Sequence, residues 1–235
     1  MIIDEQKRVK SLDNMDFLKL EAVYKKKILI LDPKLSAILD PKVSDITFGI
    51  PKGSILALVG NNRGGKSEVL DLYGRETFVS SGSILLQGQE LPCPPYKFST
   101  VKIGFCLPTN AFWEDLSARE HLEIYAMVKG IPESMISEAI QEIMAGLDLG
   151  QYADISLKDI KEEAVKRKLS VGLAVLGAPE LIILDEPTKG MDPTGRNQVW
   201  KILKELASQE STILMATNQM EDAELKADRT GKNSK

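Results

Sequence analysis

The sequence predicts an α/β domain built on a mostly parallel, wound sheet, and three observations predict it. The apolar runs SILALV (54–59) and ELIILD (180–185) read as strands buried on both faces. Strand patterns alternate with helix patterns at both ends of the chain, the order expected of βαβ units. The phrase G-x-x-x-x-G-K-S, met by Gly60, Gly65, Lys66 and Ser67, lies between the first run and a helix pattern, where a phosphate-binding turn belongs.

The elements follow in order. Residues 1–15 are polar and read as a linker or arm, and 16–24 (DFLKLEAVY) as a strand. The phrase ILDPK occurs at 30–34 and again at 38–42, and each Asp-Pro marks a turn, so the chain makes an extended excursion there. Residues 43–50 alternate like a strand, Pro51-Lys52-Gly53 turns, and 54–59 is the first buried strand. A helix is expected from Lys66 to Tyr73, then strands at 83–87 and 101–106, separated by a loop with Pro92, Pro94 and Pro95. The middle of the chain is helical. Ser117-Ala118-Arg119-Glu120 is a capping box opening a helix to Val128, and 133–147 and 162–177 are further helices. Strand 180–185, helix 194–208, strand 211–217 and a helix from Gln219 return the chain to βαβ order, and 230–235 (TGKNSK) is a polar tail. The helical insert, about 108–178, would form a separate lobe.

Composition bounds the function. The chain has 235 residues, enough for one sizeable core, and its 43% hydrophobic and 27% charged residues are an ordinary globular mix. A net charge of −4 with scattered charges gives no basic excess, so nucleic acid is not an expected partner. Cys93 and Cys106 are isolated thiols that suit a reducing compartment, and no Cys/His spacing points to a metal. The first ten residues carry charges where a signal peptide would be apolar, and no run of about 18 apolar residues occurs. Docking on a membrane-spanning protein stays open.

The candidate site has two parts. In the loop Gly60-Asn61-Asn62-Arg63-Gly64-Gly65-Lys66-Ser67, backbone N–H groups at a helix N-terminus would converge on phosphates. Lys66 adds a point charge, and the Ser67 hydroxyl would ligate Mg²⁺. In Leu181-Ile-Ile-Leu-Asp-Glu186, four apolar residues put Asp185 at the C-terminal end of a buried strand, where ligand sites of open α/β sheets lie. Asp185 would hold Mg²⁺, directly or through water, and Glu186 would polarise an attacking water.

The run LIILDEPTKGMDP (181–193) resembles the Walker B and D-loop segment of ABC proteins. IGFC at 103–106, LSAREHLEIYA at 116–126, KRKLSV at 166–171 and EDAELKADR at 221–229 resemble the A subfamily, the lipid exporters. The resemblance covers residues 16–229. It implies an ABC nucleotide-binding domain: a P-loop NTPase with a mostly parallel ATPase core sheet, an antiparallel β-subdomain and a helical subdomain. It implies ATP and Mg²⁺ as ligands, a second nucleotide-binding domain and a transmembrane domain as partners, and a place at the cytosolic face of a membrane. Tyr24 falls where the family stacks an aromatic on adenine; a strand tyrosine in the core is the other reading. The family also continues past the ADR segment with another strand and helix, which are not expected here.

The departures from the family are as informative. Against the usual G-x-N-G-A-G-K-S-T, Asn61, Arg63, Gly64 and Glu68 are unusual, and Glu68 brings a carboxylate close to the phosphates. The Q-loop glutamine aligns with Pro108, which offers no side-chain ligand, and the switch histidine with Asn218, which can hydrogen-bond a phosphate but cannot shuttle a proton. Loss of acid–base help costs on the order of 10²–10⁴ in rate where it operates. The signature Ser-Gly-Gly aligns with Glu162-Glu163-Ala164. Each carboxylate about 4 Å from a phosphate would cost roughly 1 kcal/mol in water and about 4 at an effective dielectric of 20. The pair could instead cap its own helix, worth about 0.3–1 kcal/mol each. His121 reads as a helix-surface residue, and Phe112 and Trp113 either dock a partner or pack the helical lobe. These departures predict ATP binding with little turnover, and a hetero-pair over a homodimer. The other expectation is a regulatory or non-transport ABC protein with no membrane partner.

Overall fold

The computed structural model describes residues 16–25, 43–60, 66–67, 69–70, 81–90 and 101–232. The 1–15 arm, the doubled ILDPK phrase and the proline-rich loop lie outside them.

Two sheets form the frame. Strands β1 (Asp16–Lys25), β2 (Val43–Pro51), β4 (Ser81–Leu86) and β5 (Gln89–Glu90) make an antiparallel sheet in the order β2-β1-β4-β5. Strands β3 (Ile55–Val59), β6 (Ile103–Cys106), β7 (Leu181–Asp185), β8 (Thr212–Thr217) and β9 (Arg229–Lys232) make a second sheet, order β6-β7-β8-β3-β9, parallel throughout. Among the described residues, residues 66–67 and 69–70 are helical, and the helices after them are α1 (Ala118–Val128), α2 (Glu133–Gly146), α3 (Glu163–Val175), α4 (Pro193–Ser208) and α5 (Met220–Lys226).

The continuous apolar runs are explained by burial on both faces of the parallel sheet. Leu56, Leu181, Ile183 and Leu214 point to the antiparallel sheet and pack with Leu18, Phe48, Ile50, Ile84 and Leu86. The alternate residues Ile55, Ala57, Ile182, Leu184, Ile213 and Met215 point to the helices and share a core with Leu122, Leu169, Val199 and Leu203. A strand with period 2 and two buried faces has no polar side to show.

The capping box at Ser117 forms as read: the Ser117 hydroxyl accepts from Glu120 N–H, and Glu120 accepts from Ser117 N–H at 2.7 Å. The Asp192 carboxylate likewise caps α4, accepting from Gly195 N–H. Lys129, just after α1, closes the opposite end of α3. Its ammonium donates to the carbonyls of Leu173, Ala174 and Leu176 at 2.7–3.1 Å, groups that a helix end leaves unsatisfied. Lys129→Met orphans all three, so urea unfolding should show a loss of about 1–3 kcal/mol. A loss below half a kcal/mol would mean that water replaces the lysine.

Two expectations are corrected here. Residues 230–232 do not belong to a tail: Arg229–Lys232 is a strand pairing with β3, Leu56 to Arg229 through Val59 to Lys232. The short run Arg-Thr-Gly-Lys carries no apolar periodicity, so only the partner strand reveals it. His121 is not on the helix surface; it is fully buried. Its Nε2 accepts from Trp113 N–H at 3.1 Å, which leaves Nδ1 as the donor to Ser117 O at 2.8 Å. Trp113 stacks on that ring at 5.6 Å, and Phe112 meets it edge-on at 5.4 Å. Phe112 therefore packs the helical lobe, whereas Trp113 keeps 55% of its surface exposed.

Candidate nucleotide site

The strand order puts the ends of β3, β8 and β7 side by side, so the segments that follow them converge. Lys66, Ser67, Pro108, Asp185, Glu186 and Asn218 line one cleft of about 250 Å³, with Lys189, Gly190 and Gln219 at its rim. The two candidate halves, more than a hundred residues apart in sequence, are thus brought together. Pro108 and Asn218 stand in the same cleft.

Lys66 is helical, as are Ser67, Val69 and Leu70, and it is 7% exposed. Its ammonium donates to Gly60 O at 2.6 Å and to Asn218 Oδ1 at 2.9 Å. Asn218 N–H in turn donates to Glu186 Oε2 at 3.1 Å. A buried ammonium faced by a carbonyl and an amide oxygen is a strong centre for an anion. Asn61, Asn62, Arg63, Gly64, Gly65 and Glu68 lie outside the described residues. Tyr24 pairs with Ser81 between β1 and β4, and its side chain is not described.

Asp185 is 5% exposed at the end of β7. Glu186 follows it in left-handed backbone, φ 47°, held by Glu186 N–H donating to Ala216 O at 2.8 Å. Burial pushes the Glu186 carboxyl above the usual glutamate range, against the Asn218 N–H and the Lys66 charge, which pull it down. A carboxyl raised in the fold binds protons that the unfolded chain has already released. Stability therefore falls as pH rises from the ordinary glutamate range through the folded value. Glu186→Gln should melt higher than wild type at pH 7.5, and the gap should close as pH drops towards 4. An equal gap at both pH values would contradict this.

The helical lobe meets the site through α3. Glu162 takes the N-cap position with extended backbone, and its side chain makes no cap bond. Glu163 lies in the first turn, exposed, 3.9 Å from Lys166. What remains for the pair is charge against the helix dipole. Sequence reasoning passed over Arg167, read only as part of KRKLSV. It is 3% exposed behind the cleft. A basic residue one turn from Ala164 and Val171, on the buried face of the helix, was the available signal. Beside it, burial raises the Cys106 thiol to about 11, so it is no nucleophile.

A profile of the ABC transporter family matches residues 43–189. The mouse organic anion transporter ABCA8A is 36% identical over 90% of this chain, and the rat cholesterol transporter ABCA5 is 34% identical over 78%. The human glucosylceramide transporter ABCA12 is 32% identical over 77%. This chain spans only 12%, 11% and 7% of those three proteins. Among solved structures, an ATP-binding subunit of an ABC transporter superposes with a TM-score of 0.77 at 23% identity, covering 92% of this chain and 85% of its own. A dimeric ATP-binding cassette in a post-hydrolysis state with ADP and Pi gives 0.78 at 17%, covering 92% and 94%. The fold is therefore that of ABC ATPase cassettes.

Proposed function

The chain belongs to the ABC transporter family, and on that premise we propose that it binds MgATP and couples binding to transport of a lipid or organic anion by a membrane-spanning partner, with little hydrolysis of its own. The observation that carries this is the buried Lys66 ammonium in a cleft that also holds Ser67, Asp185 and Glu186 but has Pro108 and Asn218 in its walls.

Lys66 would offset phosphate charge. The Ser67 hydroxyl and the Asp185 carboxylate are hard oxygen donors, and among the described residues no cluster of three acidic or His/Cys groups competes for a cation. That set fits Mg²⁺ held together with phosphate oxygens better than a cation held by protein alone. Bound Mg²⁺ supplies neutralisation of charge on the transferring phosphate. Glu186 is placed to orient a water, but Pro108 supplies no ligand, and Asn218 accepts from Lys66 through its amide oxygen and has no titratable proton to exchange.

A partner cassette enters the reading because a homodimer would lack the glutamine, the histidine and the Ser-Gly-Gly in every site. A hetero-pair would leave a site to the partner's own residues. Among the described residues no helix is long and apolar enough to cross a membrane. The exposed Trp113 indole offers a docking point for a polytopic partner at the cytosolic face. Affinity capture with the full chain should recover such a protein, and Trp113→Ala should lose it while retaining MgATP binding. Recovery of soluble partners alone would favour a regulatory cassette.

A further inference from the structure

We infer that Arg167 is a positioning residue that holds the cation-binding end of the nucleotide cleft in register with its opposite wall. The inference rests on the nucleotide site proposed above and assigns a device behind it.

The guanidinium draws together three segments. Nε donates to Glu186 O at 3.0 Å, and Nη2 donates to Asp185 O. Nη1 donates to Leu107 O and to Asn110 Oδ1, the latter at 3.3 Å. Ser170, one turn on along α3, donates to the same Asn110 oxygen at 2.8 Å. Among the described residues Arg167 makes no ion pair, so a buried full charge is satisfied by neutral groups, these oxygens and the Cys106 thiol. Burying a cation that way is costly unless its partners are fixed, and here each partner belongs to the wall of the cleft or adjoins it.

Geometry explains the residue type. The four acceptors lie on both sides of the guanidinium, and only a planar fork with several N–H groups reaches them together; a lysine ammonium is a point. The Glu186 backbone explains the need. Left-handed φ is unfavourable for a glutamate, and Ala216 O and Arg167 grip its N–H and C=O from opposite sides. Released, the residue would turn its carboxylate off Asn218 N–H and shift Asp185 with it. Pro108, flanked by Leu107 and Asn110, would move on the facing wall. Arg167 thus ties α3 to both sides of the cleft without touching it.

The experiment is equilibrium binding of ATP to the full chain, with Mg²⁺ and with EDTA, alongside melting curves. In wild type, Mg²⁺ should tighten binding. Arg167→Lys should lose about tenfold or more of that Mg²⁺-dependent gain, as loss of groups behind metal ligands does, with metal-free affinity within about twofold. Asn110→Ala, which removes one acceptor from a half-buried position, should lose about threefold in the same direction and folds even if Arg167→Lys does not. A purely structural role would lower both affinities together, whatever the melting temperature does, and overturns the inference. An intact Mg²⁺ gain in both variants overturns it alone; no gain in wild type overturns it together with the proposed Mg²⁺ site. Absence of ATP binding to wild type overturns the proposed function and this inference with it.

Discussion

Lys66→Met is expected to remove MgATP binding almost entirely while leaving the chain folded. Hydrogen bonds to a charged group contribute about 1.5–3 kcal/mol each, so losing the ammonium opposite the phosphates costs on the order of 10²-fold or more in affinity. Stability falls by less. Lys66 is 7% exposed, and its ammonium leans on Gly60 O and Asn218 Oδ1 and attracts the Glu186 carboxylate. Methionine matches its length and keeps the packing but leaves those oxygens without the ammonium, at about 1–3 kcal/mol. Calorimetric titration with MgATP and a melting curve on the same sample test both halves. A variant that binds within a few-fold of wild type would place the phosphates elsewhere.

Gly104→Ala is expected to cost more than about 3 kcal/mol, enough to leave the chain largely unfolded or insoluble. Gly104 sits in β6 beside Ile182 of β7, packed against the backbone of α3. A Cβ there would lie 2.0 Å from Ala174 O and 3.0 Å from Pro179 Cγ. The clash is with helix backbone, which cannot rotate away as a side chain does. The same strand leads to Leu107 and Pro108, so the damage reaches the cleft wall. Urea unfolding gives the number, and a cost under 1 kcal/mol would show that α3 can lift off β6.

Both residues show how far sequence reasoning reaches. Lys66 and Asp185 were legible because their motifs carry their own context: a buried strand ends, a helix begins, and charge stands at the junction. Ser117 was legible for the same local reason, since both halves of its capping box are three residues apart. His121 was misplaced because the ring that covers it, Trp113, lies before the helix and bonds it through backbone N–H. β9 was missed because its pairing with β3 spans most of the chain and its four residues hold no apolar pattern. Arg167 and the left-handed Glu186 belong together for a similar reason. Each makes sense only beside the other, and they come from different elements.

The measurement that bears most directly on the central claim is MgATP binding and phosphate release followed on one preparation of the purified chain. Saturable binding, lost in Lys66→Met, with phosphate release no faster than that of Glu186→Gln, is the predicted result. Release at the rates of ordinary ABC ATPases, lost on Glu186→Gln, would contradict it, and would mean that Pro108 and Asn218 do not limit the chemistry of this cleft.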